Sequence, residues 1–369
     1  MSRRTKRYER RQIKRQKQKE KYKTFDNFNN VCSLESLYKA TNKSSKGVRW
    51  KASTQRILIN ILFKIHQLRQ DLLQGKDVRK GFICFKINER GKIRDIKSVH
   101  FSERIVQKAL CIKALYPTFT RNLIHENSAS QKDKGTLFAT NTLTKHLRNY
   151  YRKYGNKGYI LTIDFKKYFE NIEHKPLIDY INETFNDRNL ANLTISFIKA
   201  FGDKGLGLGS ETSQINAIMY PNAIDHYIKS KDKFYGRYMD DSYIISQDKE
   251  FLKELLEELK PKYKGLGILL NPKKTQIISL NRGFKFLKTR FCLTDTGKVV
   301  KRPCRSCVTL ERRKLKKQIK LYNQGLLTNK DMKQSFDSWV GSMLHRHARR
   351  TVYEMTKLYN KGINERKQR

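Results

Sequence analysis

Apolar and polar residues alternate along the chain in patterns that predict short helices and strands. Apolar side chains recur at helical spacing over residues 57–68, which predicts one amphipathic helix. Residues 81–99 alternate with a period of two on both sides of residues 88–91, which predicts a β-hairpin with its turn there. A second helix is predicted over residues 103–119, and Pro117 is expected to end it.

The middle of the chain is predicted to mix strands with helices. A run of β-forming residues predicts a strand over 159–165, and a glycine-rich stretch leads into a helix within 205–229. Two short strands are predicted around an acidic pair within 234–246, followed by a helix over 248–264. The remaining apolar runs of this part predict further strands, near residues 266–270, 275–280 and 284–293.

Both ends of the chain are strongly basic. Periodic segments at residues 308–323 and 330–360 predict two C-terminal helices, and the preceding KRPCRSC (301–307) is expected to form a linker. Residues 1–23 contain twelve Lys or Arg, two Glu and almost no apolar side chain. This basic arm is expected either to solubilise the chain or to bind a nucleic-acid backbone.

The charge balance points to an anionic partner. The chain has 80 Lys and Arg against 34 Asp and Glu, a formal net charge of +46 that is spread over nearly its whole length. A protein this basic repels itself unless an anionic molecule neutralises it, and nucleic acid is the commonest such molecule. Since 38% of the residues are hydrophobic, the chain can still form a core, which argues against a disordered basic protein.

Cysteine usage and hydropathy indicate the compartment. The six cysteines stand at irregular positions, which is typical of a reducing compartment and not of a disulfide framework. Cys304 and Cys307 form a CxxC pair that Cys292, His345 or His347 could complete as a zinc site, although a basic linker is the preferred interpretation. No apolar run approaches the ~18 residues of a membrane span, so a cytoplasmic location without membrane contact is expected.

Three aspartates form the candidate chemistry. Asp240 and Asp241 are adjacent and flanked by β-forming residues in FYGRYMDDSYIIS, and Asp164 ends the hydrophobic run YILTID. Adjacent carboxylates repel each other and a strand-end carboxylate is costly to bury, unless a cation offsets both effects. Such a set is the minimum for two Mg²⁺ ions about 3.5–4 Å apart, and oxygen ligands favour Mg²⁺ or Mn²⁺ over softer metals.

Taken in order along the chain, these motifs resemble those of a known enzyme family. The YMDD sequence at 238–241, Asp164 before KKYFENIEH and the TSQ segment in LGSETSQ resemble the motifs of reverse transcriptases, over roughly residues 80–345. The resemblance implies an α+β fold of the right-hand polymerase type, with fingers, a palm built on an antiparallel sheet and a helical thumb. The parts it implies are a basic arm (1–23), the fingers and the start of the palm (24–150), the palm with the catalytic motifs (151–297) and a basic helical thumb (298–369).

The resemblance also implies a role for individual residues around the metal ions. Asp164, Asp240 and Asp241 would ligate both ions, assisted by the backbone carbonyl of Phe165. Phe169, five residues after Asp164, matches the steric gate, whose ring clashes with a ribose 2′-hydroxyl and so favours deoxynucleotides. An ordinary core aromatic is the alternative for Phe169.

Further matched positions concern the incoming nucleotide. Gln214 in LGSETSQ matches the residue that packs near the nucleotide and the template base. Arg94 and Lys132 match cations of the fingers that contact the triphosphate, although the family often has Arg at the position of Gln131. A triphosphate requires such charge neutralisation beyond its metal ions. Solvated surface cations are the alternative in so basic a chain.

The last matched positions concern the pyrophosphate leaving group and the primer. Lys274 in NPKKT matches the basic residue that protonates pyrophosphate, and the neighbouring Lys273 competes for this role. Phe286 and Leu287 match the primer-grip hairpin, where Lys288 replaces the usual glycine. The basic C-terminal helices are expected to follow the backbone of an RNA/DNA hybrid, which is bound mainly through phosphates and sugars.

The sequence leaves several biological roles open. LGSETSQ fits the pattern of diversity-generating retroelement enzymes, which copy a template RNA and often act with a small basic accessory protein. The main alternative is an antiphage defence reverse transcriptase that uses a structured non-coding RNA. A non-catalytic RNA-binding scaffold is disfavoured by the intact aspartates, and an RNA-dependent RNA polymerase by Phe169 and the YMDD form. For a reverse transcriptase the expected partners are a template RNA, its RNA/DNA hybrid and deoxynucleoside triphosphates.

Overall fold

The computed structural model describes residues 22–89 and 91–367, together with Gln12, Ile13, Gln16, Lys17 and Glu20. Most of the basic arm predicted over residues 1–23 lies outside the described residues. The chain separates into two units, each assembled from segments that are distant in sequence. Unit 1 comprises Met1–Lys132, Phe165–Ile228 and Glu258–Leu270, and unit 2 comprises Asp133–Asp164, Lys229–Glu257 and Asn271–Arg369. The division into basic arm, fingers, palm and thumb that the resemblance implies stays a prediction.

Unit 1 is mainly helical. Its first helices are α1 Phe28–Cys32, α2 Leu34–Ser45, α3 Ala52–Leu58 and α4 Ile61–Leu73. The predicted hairpin follows as β1 Phe82–Glu89 and β2 Lys92–Val99, which pair antiparallel with Phe82 opposite Val99. The next helices along the chain are α5 Phe101–Leu110, α6 Tyr116–Phe119, α7 Thr136–Tyr154 of unit 2, α8 Tyr168–Asn171, α9 His174–Thr184, α10 Arg188–Lys199 and α11 Glu211–Met219.

Side-chain caps fix where several of these helices begin. Ser33 accepts a hydrogen bond from the backbone N–H of Ser36 at the start of α2. The Asp187 side chain accepts hydrogen bonds from the backbone N–H groups of Asn189 and Leu190 at the start of α10. Such caps satisfy backbone donors that have no partner inside the helix, and each typically contributes about 1 kcal/mol.

The single helix predicted over residues 57–68 is wrong, because the chain breaks between α3 and α4. Asn60 has φ −120° and ψ 48°, which lie outside the helical region. The break leaves Ile59 and Leu62 exposed, whereas Ile65 and Leu68 are buried as the pattern predicted. The apolar spacing was therefore correct for α4 alone.

Pro117 does not end the second predicted helix. After α5, residues Cys111–Leu115 form a wider π-helical turn, and α6 begins at Tyr116 with Pro117 in its first turn. Proline is tolerated there because its missing N–H has no helical partner to lose. Helix α6 ends at Phe119, but a 3₁₀ turn over Thr120–Asn122 follows it directly, so the stop predicted near Pro117 is wrong.

Unit 2 contains a four-stranded antiparallel sheet in the order β4-β5-β3-β6. Its strands are β3 Tyr159–Asp164, β4 Tyr235–Tyr238, β5 Asp241–Ser246 and β6 Gln276–Ser279. Helix α7 supplies apolar side chains to the core of this sheet. The largest buried contributors to the shared core are Tyr150, Phe234, Tyr243, Phe284, Phe286 and Phe291.

Helices α12 Asn222–Lys231 and α13 Lys249–Gly265 flank β4 and β5 in sequence. The strand predicted near residues 266–270 is absent, and only Leu270 makes a bridge pair, with Phe165. Gly267 has φ +68°, and the backbone N–H of Ile268 donates back to the carbonyl of Tyr263. This segment therefore forms a C-terminal helix cap, which consumes the backbone groups that a strand would need.

A three-stranded sheet completes the β structure of unit 2, with β7 Phe284–Phe286, β8 Thr289–Leu293 and β9 Val299–Pro303 in that order. The linker predicted over residues 301–307 is wrong, since its first half belongs to β9 and Cys304 is the N-cap of the next helix. Pro303 is tolerated because β9 is an edge strand, where a missing N–H costs no ladder bond.

Three basic helices end the chain, α14 Arg305–Asn323, α15 Asn329–Met343 and α16 Arg349–Lys367. The continuous helix predicted over residues 330–360 is wrong. Between α15 and α16, the N–H of His347 donates to the carbonyl of Lys301 at 2.6 Å, and the N–H of Lys301 donates to His347 Nδ1 at 2.9 Å. These bonds tie the break to β9. The three helices share a core of Leu315, Tyr322, Met332, Phe336, Trp339, Met343, Ala348, Met355 and Tyr359.

Over the described part of the chain, no helix combines the length and the apolar character that a bilayer crossing requires.

Candidate catalytic site

The acidic pair lies at a tight turn between β4 and β5. Tyr238 pairs with Asp241, so Met239 and Asp240 form a two-residue loop. Met239 has φ +56°, in the left-handed region where a residue other than glycine is strained. The fully buried guanidinium of Arg237 donates to the Met239 carbonyl at 2.9 Å and so holds the turn in this conformation.

Asp164 lies directly opposite Asp241 in the ladder between β3 and β5. Asp164 is buried and Asp241 is half-buried. Burial, then the charges of Asp240 and Asp164, raise the pKa of Asp241 to about 7. The three carboxyl groups therefore repel one another, and a bound cation would relieve this repulsion.

A lysine and an asparagine already contact Asp164. Lys274 Nζ lies 2.6 Å from Asp164 Oδ2, and Asn271 Nδ2 donates to Oδ1 at 2.9 Å. The backbone N–H of Asn271 also donates to the Asp164 carbonyl at 2.8 Å. Burial lowers the pKa of Lys274, but the hydrogen bond and charge of Asp164 and the charges of Asp241 and Asp240 outweigh burial and raise the pKa overall.

The oxygen donors of the three aspartates are of the kind that a hard divalent cation prefers. Within the part of the chain that the structure describes, no three His, Cys, Asp or Glu side chains are gathered closely enough to hold a metal ion as they stand. Lys274 neutralises Asp164 in this arrangement. Asp241, whose pKa is raised by burial and then by the charges of Asp240 and Asp164, nevertheless has the oxygen ligands and neighbouring carboxylates that Mg²⁺ or Mn²⁺ favours.

The predicted primer-grip residues line the same cavity as two of the aspartates. This cavity of unit 2 has a volume of ≈ 550 Å³, and Asp164, Asp241, Lys274, Phe286 and Leu287 are among its lining residues. The structure thus brings together residues that are separated by more than a hundred positions in the sequence. A cavity that combines carboxylates, lysines and apolar side chains can hold the sugar and phosphate of a nucleic-acid end.

The hairpin that carries Phe286 turns through two residues with left-handed backbones. Phe286 pairs with Thr289, and Leu287 and Lys288 have φ angles of 45° and 60°. This is the pattern of a type I′ turn, whose twist matches that of the strands but which strains residues other than glycine. Lys288 therefore keeps the turn geometry that glycine provides more easily. Phe286 itself is buried and contacts the ring of Tyr243.

Phe165 and Phe169 belong to unit 1 and differ in exposure. Phe165 is buried and pairs with Leu270 through a backbone bridge. Phe169 lies in the short helix α8 and is only half-buried, and its carbonyl accepts from the N–H of Leu206 at 2.6 Å. Its partial exposure is what a side chain that meets a substrate requires, whereas a core aromatic would be fully buried.

Two further nucleotide candidates lie on segments of unit 1 that meet. Gln214 is exposed, while the other residues of α11 are buried or half-buried. The hydroxyl of Ser130 donates to Gln214 Oε1 at 3.4 Å, which places the loop of Lys132 beside α11. Lys132 is exposed, and Gln131 Nε2 donates to the Asn127 carbonyl at 2.7 Å. Gln131 is thus used to hold the loop.

Arg94 is half-buried on β2, opposite Ile87. The glycine-rich stretch before α11 packs closely against this strand, since the N–H of Lys97 donates to the Leu208 carbonyl at 3.0 Å. A Cβ on Gly209, which has φ +115°, would lie 2.8 Å from the Lys97 carbonyl oxygen. The glycine therefore permits the contact between the hairpin and the segment that leads to Gln214.

Two residues of the site were not anticipated from the sequence. Arg237 is the largest fully buried side chain and supports the turn that carries the acidic pair, and Asn271 contacts Asp164 twice. In the sequence, Arg237 is the single cation of an otherwise apolar strand next to YMDD, and this pattern could have identified it. Asn271 stands at the start of NPKKT, where an amide before proline commonly begins a turn.

Comparison with known proteins identifies the family. Residues 79–291 match the family model described as reverse transcriptase (RNA-dependent DNA polymerase). Because this match covers more than half of the sequence, the chain belongs to the reverse transcriptase family.

Curated relatives include the group II intron-encoded protein LtrA of Lactococcus lactis subsp. cremoris. It is 22% identical over 286 residues, which cover 73% of this chain and 44% of LtrA. LtrA of strain MG1363 matches with the same identity and coverage. The chain thus spans less than half the length of these relatives.

Solved telomerase structures show the fold. A telomerase from Candida albicans, solved in complex with a TWJ fragment of telomeric RNA, has a TM-score of 0.51 at 12% identity over 78% of this chain and 55% of that chain. Apo telomerase from Candida tropicalis has a TM-score of 0.47 at 14% identity over 60% and 55% of the two chains, too low to add to the argument. The α+β right-hand polymerase fold is therefore confirmed.

Proposed function

We propose that this chain is an RNA-directed DNA polymerase that extends a primer along an RNA template. The observation that carries this proposal is the register of the four-stranded sheet, which sets Asp164 opposite Asp241 beside Asp240. Membership of the reverse transcriptase family supports the reaction class, because nucleotidyl transfer requires clustered carboxylates of this kind.

In this proposal Asp164, Asp240 and Asp241 would hold divalent cations, with the Phe165 carbonyl as a further oxygen ligand. Mg²⁺ is the expected ion and Mn²⁺ a substitute, since both prefer oxygen ligands. Bound cations would lower the pKa of the primer 3′-hydroxyl and neutralise charge on the triphosphate. The raised pKa of Asp241, due first to burial and then to the charges of Asp240 and Asp164, supports the assignment, because a bound cation would favour the charged carboxylate against both effects.

Lys274 is proposed to serve the leaving group. When the primer hydroxyl attacks the α-phosphorus, the bond to pyrophosphate breaks and the departing oxygen gains negative charge. Lys274 carries three N–H donors, lines the cavity of Asp164 and keeps its proton, because the nearby carboxylates raise its pKa. Lys273 lines the same cavity, and Lys274 is preferred because its ammonium group forms an ion pair with Asp164.

Nucleotide selection is assigned to residues of unit 1. The half-exposed ring of Phe169 is proposed to exclude ribonucleotides, and the exposed Gln214 to pack near the incoming base. Arg94 and Lys132 are proposed to contact the triphosphate, which needs cations beyond its metal ions. Phe286 and Leu287 are proposed to position the primer, and their place in the cavity of Asp164 and Asp241 supports that role.

Template RNA, RNA/DNA hybrid and deoxynucleoside triphosphates are the partners of this activity. The net charge of +46 supports a polyanionic partner. We infer from LGSETSQ a role in a diversity-generating retroelement, in the cytoplasm and together with a small basic accessory protein. Sequencing the cDNA tests this role, since errors concentrated opposite template adenines support it and evenly distributed errors favour an antiphage defence enzyme using a structured RNA.

The polymerase proposal is tested by incorporation of dTTP on poly(rA)/oligo(dT) with Mg²⁺. We expect synthesis by the wild type and none by the Asp240→Ala/Asp241→Ala variant. Asp203→Ala is the matched control, because Asp203 is an exposed aspartate remote in sequence from the acidic pair. Equal synthesis by all three proteins would contradict the site. Absence of synthesis from the wild type, also with its native RNA added, would favour a non-catalytic RNA-binding scaffold.

A further inference from the structure

The region around α3 and α4 of unit 1 exposes large apolar side chains in a strongly basic setting. Residues 41–70 contain seven Lys or Arg and no Asp or Glu. Within them, the exposed fractions are 74% for Trp50, 77% for Ile59, 70% for Leu62 and 66% for Phe63. An exposed tryptophan or phenylalanine loses favourable burial energy, so two within fourteen positions indicate a surface that meets a partner.

Both aromatic rings are paired with an ammonium group. Lys51 Nζ lies 5.4 Å from the Trp50 ring centroid, and Lys64 Nζ lies 5.4 Å from the Phe63 ring centroid. The indole N–H of Trp50 donates to the Gly47 carbonyl at 3.2 Å, which restrains the ring although it is exposed. Each ring thus stands beside a cation.

We propose that residues 47–64 form a binding surface for single-stranded nucleic acid, in which bases stack on Trp50 and Phe63 and phosphates contact the neighbouring cations. Aromatic rings bind unpaired bases of any sequence because every base has a π-face, and basic residues hold the backbone. The neighbouring positions in sequence add exposed cations, Lys43, Lys46, Arg49 and Arg56. The interface is sequence-tolerant and sensitive to salt.

Charge distinguishes nucleic acid from the other partners of an apolar surface. Protein interfaces are depleted in lysine, whereas this surface combines its rings with lysines and lacks any carboxylate. A membrane-bound helix presents a continuous apolar face to the lipid. The apolar face of α4, formed by Ile65, Leu68 and Leu72, is instead buried inside the protein and is not available to lipid.

The molecule bound to this surface is single-stranded RNA. The choice of RNA over DNA rests on the proposed function as an RNA-directed polymerase. The surface belongs to unit 1, and the three candidate metal-binding aspartates belong to unit 2. Binding can therefore be measured without catalysis, in the absence of nucleotides and divalent cations. A protein that binds RNA here but does not polymerise would refute the proposed function and leave this surface standing.

Tryptophan fluorescence provides a direct test, because the chain has two tryptophans and the other one, Trp339, is buried in the core of α14–α16. In the full-length Trp339→Phe variant, Trp50 is the sole tryptophan. We expect a single-stranded oligoribonucleotide to quench its emission and to protect it from acrylamide. A change of emission with anionic phospholipid vesicles and not with RNA would overturn the proposal in favour of a lipid surface.

Affinity measurements on ring variants complete the test. We expect Trp50→Ala and Phe63→Ala each to weaken binding of a fluorescein-labelled single-stranded RNA at least about fivefold, the lower end of one lost stack. Phe63→Leu should weaken it nearly as much, because leucine keeps the apolar bulk but not the π-face. Ile59→Ala, which removes an exposed side chain without a ring, should leave binding unchanged. Unchanged binding by both ring variants would overturn the surface, and equal affinity for single-stranded DNA would overturn only the choice of RNA.

Discussion

Replacing Asp241 by asparagine is expected to abolish nucleotide transfer and yet to stabilise the metal-free protein at pH 8. The carboxyl group of Asp241 lies half-buried between Asp240 and Asp164, and burial followed by these two charges raises its pKa from 3.8 to about 7. Such a site holds like charges together for function at the expense of folding free energy. Asparagine keeps the shape and the hydrogen bonding while it removes one of the charges.

The magnitude and the sign follow from that pKa. A shift of about three pH units corresponds to a ceiling of about 4 kcal/mol, and solvent screening of the half-exposed group reduces the expected effect to about 1–2 kcal/mol. Between pH 3.8 and about 7 the folded state binds more protons than the unfolded state. The contribution of Asp241 to stability is therefore complete below pH 3.8 and is lost as the pH rises through 7. The asparagine side chain of the variant cannot ionise, so the variant shows no such loss.

Urea unfolding between pH 4 and pH 8.5, in buffer with a chelator, measures this difference. The free energy of unfolding of Asp241→Asn minus that of the wild type should increase through pH 7 and then become constant. Asp203→Asn, at an exposed position, should show no such trend. Saturating Mg²⁺ should reduce the difference, because only the wild type gains full binding energy. A variant that is less stable than the wild type at pH 8 without metal would refute the reasoning.

The remaining predictions concern the turn, the gate and the leaving group. Arg237→Met should lower the free energy of urea unfolding by about 1.5–3 kcal/mol, since it removes the charged donor of the hydrogen bond to the Met239 carbonyl. A loss below about 1 kcal/mol would contradict the role of Arg237 in holding the turn. Phe169→Ala should lower the ratio of kcat/KM for dTTP to kcat/KM for UTP by about tenfold or more. An unchanged ratio would exclude Phe169 as the steric gate. Lys274→Ala should lower kcat by about 10²-fold or more and leave the primer–template Kd unchanged, whereas Lys273→Ala should change neither quantity. The reverse pattern would assign protonation of pyrophosphate to Lys273.

Local patterns in the sequence predicted the elements that depend on neighbouring residues. The β1–β2 hairpin and the pair β4–β5 were predicted because alternation and the turn between two strands lie within one short segment. The break between α15 and α16 could not be predicted, because it depends on hydrogen bonds between Lys301 and His347, which are 46 positions apart. The same distance explains why residues 301–307 looked like a linker.

The candidate site shows the same limit. The three aspartates could be singled out from motif order, but the opposition of Asp164 and Asp241 follows from strand register, which a single sequence does not contain. Lys274 was assigned to pyrophosphate, and its contact with Asp164 appears only when the segment after α13 is placed beside β3. Arg237 was overlooked because burial of a cation depends on the packing around the turn.

The most direct test of the central claim is the single-turnover rate of adding one deoxynucleotide to a primer on an RNA template, measured by rapid quenching at saturating Mg²⁺. If Asp164, Asp240 and Asp241 act in the transfer step, Asp240→Asn and Asp241→Asn should each slow that rate by about 10³-fold or more while the Kd for primer–template changes less than about threefold. Wild-type rates in these variants, or a loss explained entirely by weaker binding of the primer–template, would contradict the account.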